Sequence, residues 1–515
     1  MRRWGLFLLA LTLFAGAAVR DGIDAWVAAT ELPPLVAETS VEVLDRDGRL
    51  LRAYTVADGR WRLAVTPDKV DPLYLRMLVA YEDRRFWDHG GVDPRAMLRA
   101  AGQALWHGRI VSGGSTLTMQ AARLLEDGGT GDWATKLRQI RVALALERRL
   151  SKAEILGLYL NRAPFGGNLE GVRAAARAYF GKEPRRLTPA EAALLVALPQ
   201  SPETRRPDRH AEAAEAARAR VLARMVSAGL VGPERAEAAL SEAVPRARRP
   251  FPALAPHLAD RVRTAEPFRP AHRLTVDLSL QASLERLAEA AVRGRGARLS
   301  AAILVLDHGT GEVLASVGSA GYLDEGREGY VDMTRALRSP GSTLKPLVYG
   351  LAFDEGLAHP ETLIDDRPTA FGRYRPQNFD GEYRGTVTAR QALQMSLNIP
   401  VVTLTEAVGP AKLMAHLRRA GAEPALPGGE AGLAVALGGV GVTLEDLARL
   451  YAAIARGGSP VALRWDAAAA PDLGPRAAVL TPEAAWQVAE ILSGIAPPPG
   501  RPWNRLAYKT GTSYG

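Results

Sequence analysis

The sequence predicts a multidomain protein: an N-terminal transmembrane helix, then a mainly α domain, then an α/β (α+β) domain. Three observations carry that reading. Trp4 to Val19 contains no charged residue, and residues from Pro72 to about Arg205 repeat apolar side chains at helical spacing. Past about residue 271, apolar runs flank Gly-containing turns and helical stretches alternate with Gly/Pro-rich connections. At 515 residues, with 47% hydrophobic and 23% charged, the chain has a folded globular composition and the length of two or three domains.

The first element is "WGLFLLALTLFAGAAV" after Met1-Arg2-Arg3. Its length is near the lower limit for spanning a bilayer and also suits a signal-peptide core. Arg2 and Arg3 put the start in the cytoplasm and everything after Arg20 outside. Residues 1–21 read as an uncleaved anchor in the plasma (inner) membrane, with a signal sequence cut near "AGA" at 15–17 as the alternative. The chain has no cysteine, which excludes disulfides, thiolate metal sites and a lipid-modified cysteine anchor. A net charge of +9 favours anionic headgroups or phosphate-bearing substrates. Nucleic acid competes for basic charge, but the export segment argues against it.

In the α domain, placed at residues 40–205, Tyr74, Met77, Leu78 and Tyr81 form one apolar helix face. "SKAEIL" starts a helix with a capping box of Ser151 and Glu154, and "TPAEAALL" does the same with Thr188 and Glu191. Residues 206–270 are an Ala/Arg/Glu-rich helical extension and a linker whose prolines, in "PRARRPFPALAPH", prevent a long helix. The domain at 271–515 opens with a hairpin signal in "LSAAILVLDHGTGEVLASVGS".

"RSPGSTLKPLVYG" sets Ser342 and Lys345 on one helix face, within reach of each other. A serine needs a neighbouring base at neutral pH, and a desolvated lysine can serve. "MSLNIP" adds Ser396 and Asn398 at alternate positions, and "KTGTS" adds Lys509, Thr510 and Thr512. Ser-x-x-Lys, Ser-x-Asn and Lys-Thr-Gly each occur once, in that order. The set is similar to the penicillin-binding transpeptidase domain, a penicillin-binding/β-lactamase-like fold. That resemblance implies that Ser342 attacks the penultimate D-Ala carbonyl of a stem peptide with Lys345 as base. Ser396 would relay a proton to the leaving D-Ala, Asn398 would hold the donor peptide, and Lys509, Thr510 and Thr512 would bind the terminal carboxylate. The backbone N–H groups of Ser342 and Thr512 would form the oxyanion hole. Tyr374, Pro376 and Asn378 match the segment before the Ser-x-Asn motif and take structural roles.

"VAYEDRRFWDHGGVDP" closes the Tyr74–Tyr81 helix with Glu82 and Asp83. A carboxylate at a helix C-terminus meets the negative end of the dipole, which disfavours its ionised form and suits a general base. With "GGSTLTMQ" and "ERRLSKAEILGLYLNRAPFGGNLEGVRAAARAYFGK", the segment resembles the lysozyme-like family 51 peptidoglycan glycosyltransferases. The resemblance makes Glu82 the base that deprotonates the acceptor 4-hydroxyl of lipid II, which then attacks C1 of the growing glycan with inversion. Asp83, His89, Ser115, Thr116, Thr118 and Gln120 fall on positions lining the cleft, and Lys136 matches the basic residue for the pyrophosphate.

The chain departs from the pattern at Gln139, where most members carry a second glutamate. No cofactor is required; a divalent cation, Mg or Mn, has a place in the family at the pyrophosphate, and Gln139 puts it in doubt. Asp83 or Glu147 is the candidate to compensate. Gln139 and "LSKAEILGLYLNRAPFGG" place the nearest match in the 1C branch of the bifunctional penicillin-binding class.

The expected function is peptidoglycan synthesis by a peptidoglycan glycosyltransferase and a serine-type D-Ala-D-Ala transpeptidase. The partners are lipid II and the growing glycan strand, stem peptides, β-lactams as inhibitors, the bilayer, and other cell-wall synthesis proteins. The alternatives are a glycosyltransferase whose serine domain only binds peptide or β-lactam, and a β-lactamase. Members place Lys-Thr-Gly on a strand that is followed by at least one more strand and a covering helix, whereas this sequence ends at "YKTGTSYG", so the resemblance implies a strand at Lys509–Gly511 and the transpeptidase domain is expected to be incomplete and the glycosyltransferase whole.

Overall fold

The computed structural model describes residues 2–107, 114–126, 133–472, 474, 476–503 and 506–513. The chain divides into two compact units, Met1–Glu42 with Ala53–Pro252, and Val43–Arg52 with Ala253–Gly515.

The first unit is helical: α1 (Arg2–Ala28), α2 (Pro72–Glu82), α3 (Pro94–His107), α4 (Leu117–Leu125), α5 (Trp133–Arg149), α6 (Lys152–Arg162), α7 (Val172–Phe180), α8 (Pro189–Ala197), α9 (Ala211–Ser227) and α10 (Pro233–Ser241). In α2, Tyr74, Met77 and Leu78 are fully buried, so the predicted apolar face is the packed one. Asp71 starts that helix by accepting from Leu73 N, ahead of Pro72 at the first helical position. Both predicted capping boxes form, Ser151 with Glu154 on α6 and Thr188 with Glu191 on α8. Helix α8 is buried on almost every side, from Ala190 to Ala197, because it is apolar all round. Met119, Ala122 and Leu125 of α4 pack on Val142, Ala143 and Leu146 of α5. A short parallel pair, Trp61–Arg62 against Leu169–Glu170, is the unit's small β element.

The predicted transmembrane span falls partly on residues outside the description: Met1, and the side chains of Arg2, Arg3, Gly5, Leu6, Leu8, Leu9 and Ala10. Among the described residues no helix is long and apolar enough to cross a membrane. Helix α1 runs on through Arg20, Asp21 and Asp24, so it is longer and more charged than the predicted span.

In the second unit, α11 (Pro256–Ala265) and α12 (Leu278–Val292) precede the predicted hairpin, Ile303–Leu306 antiparallel to Val313–Val317. Then come α13 (Lys345–Asp354), α14 (Ala389–Gln394), α15 (Asn398–Val408), α16 (Pro410–Arg419), α17 (Leu444–Ala455) and α18 (Pro482–Ser493). Leu347, Val348 and Leu351 of α13, Val401 and Val402 of α15, Leu450 of α17 and Val488 of α18 share one core. A second hairpin pairs Leu363–Asp366 with Gly385–Thr388 and sets Asp366 opposite Gly385. Strands Glu42–Leu44 and Leu50–Ala53 pair with each other, and Ala271–Arg273 joins them on the Glu42–Leu44 side. The sheet expected here is thus, among the described residues, a set of small sheets beside a helical core. Lys509–Gly511, expected as a strand, is irregular. It packs on the turn that carries Ser342: a Cβ on Gly511 would lie 2.6 Å from Thr343 Cγ2.

Candidate active sites

Glu82 is the last residue of α2, and Asp83 is its C-cap. Two amide side chains hold the Glu82 carboxylate: Gln120 of α4 donates from Nε2 to Oε2 at 2.9 Å, and Gln200 donates from Nε2 to Oε1 at 2.8 Å. Gln200 is oriented in turn by Arg205, which donates to its Oε1 at 3.0 Å. Both carboxylate oxygens are therefore aimed by neutral donors, and each keeps a lone pair with which to take a proton.

Its neighbour Asp83 is buried and otherwise engaged. It accepts from His89 Nε2 at 2.9 Å and from Leu117 N, the first residue of α4, at 3.0 Å. His89 Nδ1 accepts from Gly91 N at 3.1 Å, so the ring hydrogen sits on Nε2 and points at Asp83. Thr116 caps α4 by accepting from Met119 N and donates to Gly91 O at 2.6 Å. Thr118 donates to Glu147 at 2.7 Å, and Glu147 also pairs with Lys152 at 2.6 Å. Lys152 donates to His89 O and lies over the Phe86 ring. Asp83, His89, Thr116 and Thr118 thus lock the 83–93 loop to the start of α4 and so position Gln120.

Lys136 of α5 donates to Ser115 Oγ at 2.6 Å. Burial, and then the Arg123 charge, hold its ammonium below the ordinary lysine range. Two cations whose fields overlap make this the positive end of the site. Gln139 lies one turn further on α5 and is buried. The donor set suits a divalent cation poorly: Gln139 brings a neutral amide, and the Asp83 and Glu147 carboxylates are already bonded to His89 and Lys152.

In the second unit, a cleft of about 410 Å³ is lined by Ser342, Ser396, Asn398, Thr510 and Thr512. Ser342 sits on a 3-10 turn, Gly341–Leu344, and Lys345 is the first residue of α13 and fully buried. Lys345 Nζ donates to Ser396 O at 2.6 Å, Asn398 Oδ1 at 2.6 Å and Leu397 O at 3.1 Å, with Ser396 Oγ at 3.4 Å. Burial, seconded by the Lys509 charge and opposed by Asp366, brings its pKa down to about 7. Lys509 donates to Ser396 Oγ at 2.8 Å, and burial lowers its pKa to about 8.

Ser396 thus stands between two amines, in a left-handed backbone (φ 58°) that turns its carbonyl and its hydroxyl toward Lys345. Gly341 has φ 51°, and a Cβ there would collide with the Thr512 carbonyl oxygen, so the glycine brings the 510–512 segment against the serine turn. Of the predicted serine-site residues, Ser342, Ser396, Asn398, Thr510 and Thr512 line this cleft, and Lys345 and Lys509 reach it through their contacts with Ser396.

Two domain families match in the order these sites occur: transglycosylase over residues 47–226, and penicillin binding protein transpeptidase domain over residues 301–514. The chain carries a transglycosylase domain followed by a penicillin-binding protein transpeptidase domain. It is 46% identical over 480 residues to penicillin-binding protein 1C of Escherichia coli (strain K12), covering 92% of this chain and 61% of that one. It is 28% identical over 444 residues to penicillin-binding protein 1F of Bacillus subtilis (strain 168), covering 82% and 61%. The crystal structure of penicillin-binding protein 1A from Haemophilus influenzae aligns with 92% of this chain and 81% of that one, at 18% identity and a TM-score of 0.49. The chain spans about three fifths of the length of the two curated relatives.

Two residues at these sites have no motif to announce them. Gln200 reaches Glu82 from the end of a 3-10 turn after α8, and "LVALPQSP" gives no sign that its amide leaves the local turn. Asp366, at the end of a strand in "TLIDDRP", is completely buried, and only its depth in the fold distinguishes it from Asp365.

Proposed function

We propose that this protein builds peptidoglycan on the outer side of the plasma membrane. Glu82 accepts the proton of the acceptor 4-hydroxyl of lipid II as that oxygen attacks C1 of the growing glycan, inverting it and releasing undecaprenyl pyrophosphate toward Lys136 and Ser115. In the second unit, Lys345 takes the Ser342 proton as Oγ attacks the penultimate D-Ala carbonyl. The Ser396 hydroxyl passes a proton to the departing D-Ala nitrogen, and Lys509 with Thr510 and Thr512 binds its carboxylate. An acceptor amine then displaces the acyl group from Ser342 and forms the cross-link.

The observation that carries this reading is the buried Lys345, brought to about 7 and bonded to both Ser396 and Asn398. A lysine in that state is a base at neutral pH. The membrane location draws on α1, which exposes Trp4, Phe7, Leu11, Leu13, Phe14 and Val19. Large apolar side chains in such a row call for a lipid environment rather than water.

Labelled lipid II tests both activities in one reaction. The intact protein is expected to give glycan polymer and cross-linked stem-peptide dimers, Glu82→Gln no polymer, and Ser342→Ala polymer without dimers. Penicillin labelling that is lost in Ser342→Ala, with no dimers from the intact protein, would instead assign the second unit to binding alone.

A further inference from the structure

The buried carboxylate of Asp366 has no role in the steps above. It lies in no ion pair among the described residues and accepts instead from Arg384 N at 2.7 Å and from Asn378 Nδ2 at 2.9 and 3.0 Å. Asn378 Nδ2 also donates to Glu382 O at 2.8 Å, while its Oδ1 accepts from Asn398 N at 2.7 Å. Asn398 in turn donates from Nδ2 to Gln377 O at 2.6 Å and offers Oδ1 to Lys345 Nζ at 2.6 Å. Every partner of both amides allows one orientation only: acceptors face the nitrogens and donors face the oxygens. The result is a polarised line, Asp366 to Asn378 to Asn398 to Lys345.

We propose that Asp366 is a positioning residue for the acylating lysine: through Asn378 it fixes Asn398, whose oxygen then sets the rotation of the Lys345 amine. A neutral amine has two N–H bonds and one lone pair. As an ammonium Nζ donates to Ser396 O, Asn398 Oδ1 and Leu397 O; on losing a proton it keeps the two shortest bonds, to Ser396 O and Asn398 Oδ1, and gives up the longer one to Leu397 O. The lone pair is then left for the hydroxyl whose proton it must accept. Without the carboxylate, Asn378 is free to turn, the Asn398 backbone N–H loses its acceptor, and the lone pair is no longer aimed.

Asp366 also acts through its charge. The charged groups that face Lys345 are Lys509, from the C-terminal segment, and Asp366, from the end of its hairpin; the first lowers its pKa and the second raises it. Tyr349, on α13 itself, is buried and pushed up by burial and by Asp366, so it stays a neutral phenol. Ser342 and Ser396 add only hydroxyls.

This inference rests on Ser342 being acylated, and the test separates the two. Acylation by a fluorescent penicillin is measured against pH for the full chain, Ser342→Ala, Asp366→Asn and Asn378→Ala. Asp366→Asn is expected to lose acylation at least about tenfold and to move the rising limb to lower pH by about half a unit or more, the sense in which losing an opposite charge acts on an amine. Asn378→Ala leaves the carboxylate but cuts the line, and is expected to lose rate with the limb in place. A limb that stays put in Asp366→Asn overturns the inference, as does a full rate in Asn378→Ala, which decides the matter if Asp366→Asn does not fold. Equal labelling of the intact protein and Ser342→Ala overturns the functional reading instead.

Discussion

The two amines of the serine site make its pH dependence a strict test. In the proposed mechanism acylation needs Lys345 neutral and Lys509 charged, the one to take a proton and the other to hold a carboxylate. With values of about 7 and about 8, the doubly correct form grows as pH rises through the first and is lost as pH rises through the second. Its fraction is about 0.6 at pH 7.5 and about 0.03 at both pH 5.5 and pH 9.5, a change of about 20-fold on each side. A lysine left at 10.5 would be neutral only about one time in a thousand at pH 7.5, so burial supplies most of the base. The amines meet at Ser396, so the two limbs belong to the pair. Stopped-time labelling with a fluorescent penicillin from pH 5.5 to 9.5 should give a narrow bell. Lys509→Met removes the charge that depresses Lys345, so its rising limb should move to higher pH and its falling limb should disappear. A profile flat across that range would refute the assignment of Lys345 as base.

Gln200→Ala removes one of the two donors that aim Glu82 and should slow lipid II polymerisation by about three- to tenfold, the value of one hydrogen bond. An unchanged rate would show that Gln120 suffices. Gly341→Ala places a methyl group against the Thr512 carbonyl and should cut acylation by about 10²–10³, as expected for a displaced oxyanion donor, while polymerisation stays intact. Gln139→Glu adds a carboxylate on the α5 face that carries Lys136 and should make polymerisation respond to Mg or Mn. If rate and divalent response both stay as they were, Gln139 does not tune the pyrophosphate end.

Much of this arrangement can be read from single stretches of sequence, because the signals are local. Capping boxes at Ser151 and Thr188 act within one turn, and the Tyr74–Leu78 spacing is a property of one helix. The same holds for the three serine-site motifs, each short and each delivering its own side chains to the cleft. What lies outside local pattern depends on long-range approach: Gln200 reaches a carboxylate 118 positions away, and Asp366 orients an amide 12 positions away across a hairpin end. Neither residue type marks its environment. The Lys509 segment shows the opposite failure, since a strand requires a neighbour to pair with, and none pairs with it among the described residues.

The acidic residues of the first unit can be sorted by who holds them. A general base must be oriented without being neutralised, because a cation in contact stabilises the ionised carboxylate and weakens its pull on a proton. Glu82 meets that condition, with an amide on each oxygen. Glu147 does not, being paired with a lysine, and Asp83 is taken up in holding the His89 ring and the positive end of α4. The serine site follows the same rule with the charges reversed. Lys345 is held by carbonyl and amide oxygens, and the only carboxylate on its line stands two amides away. At that remove the carboxylate can still orient the amine, while direct contact would fix it as an ammonium and end its use as a base.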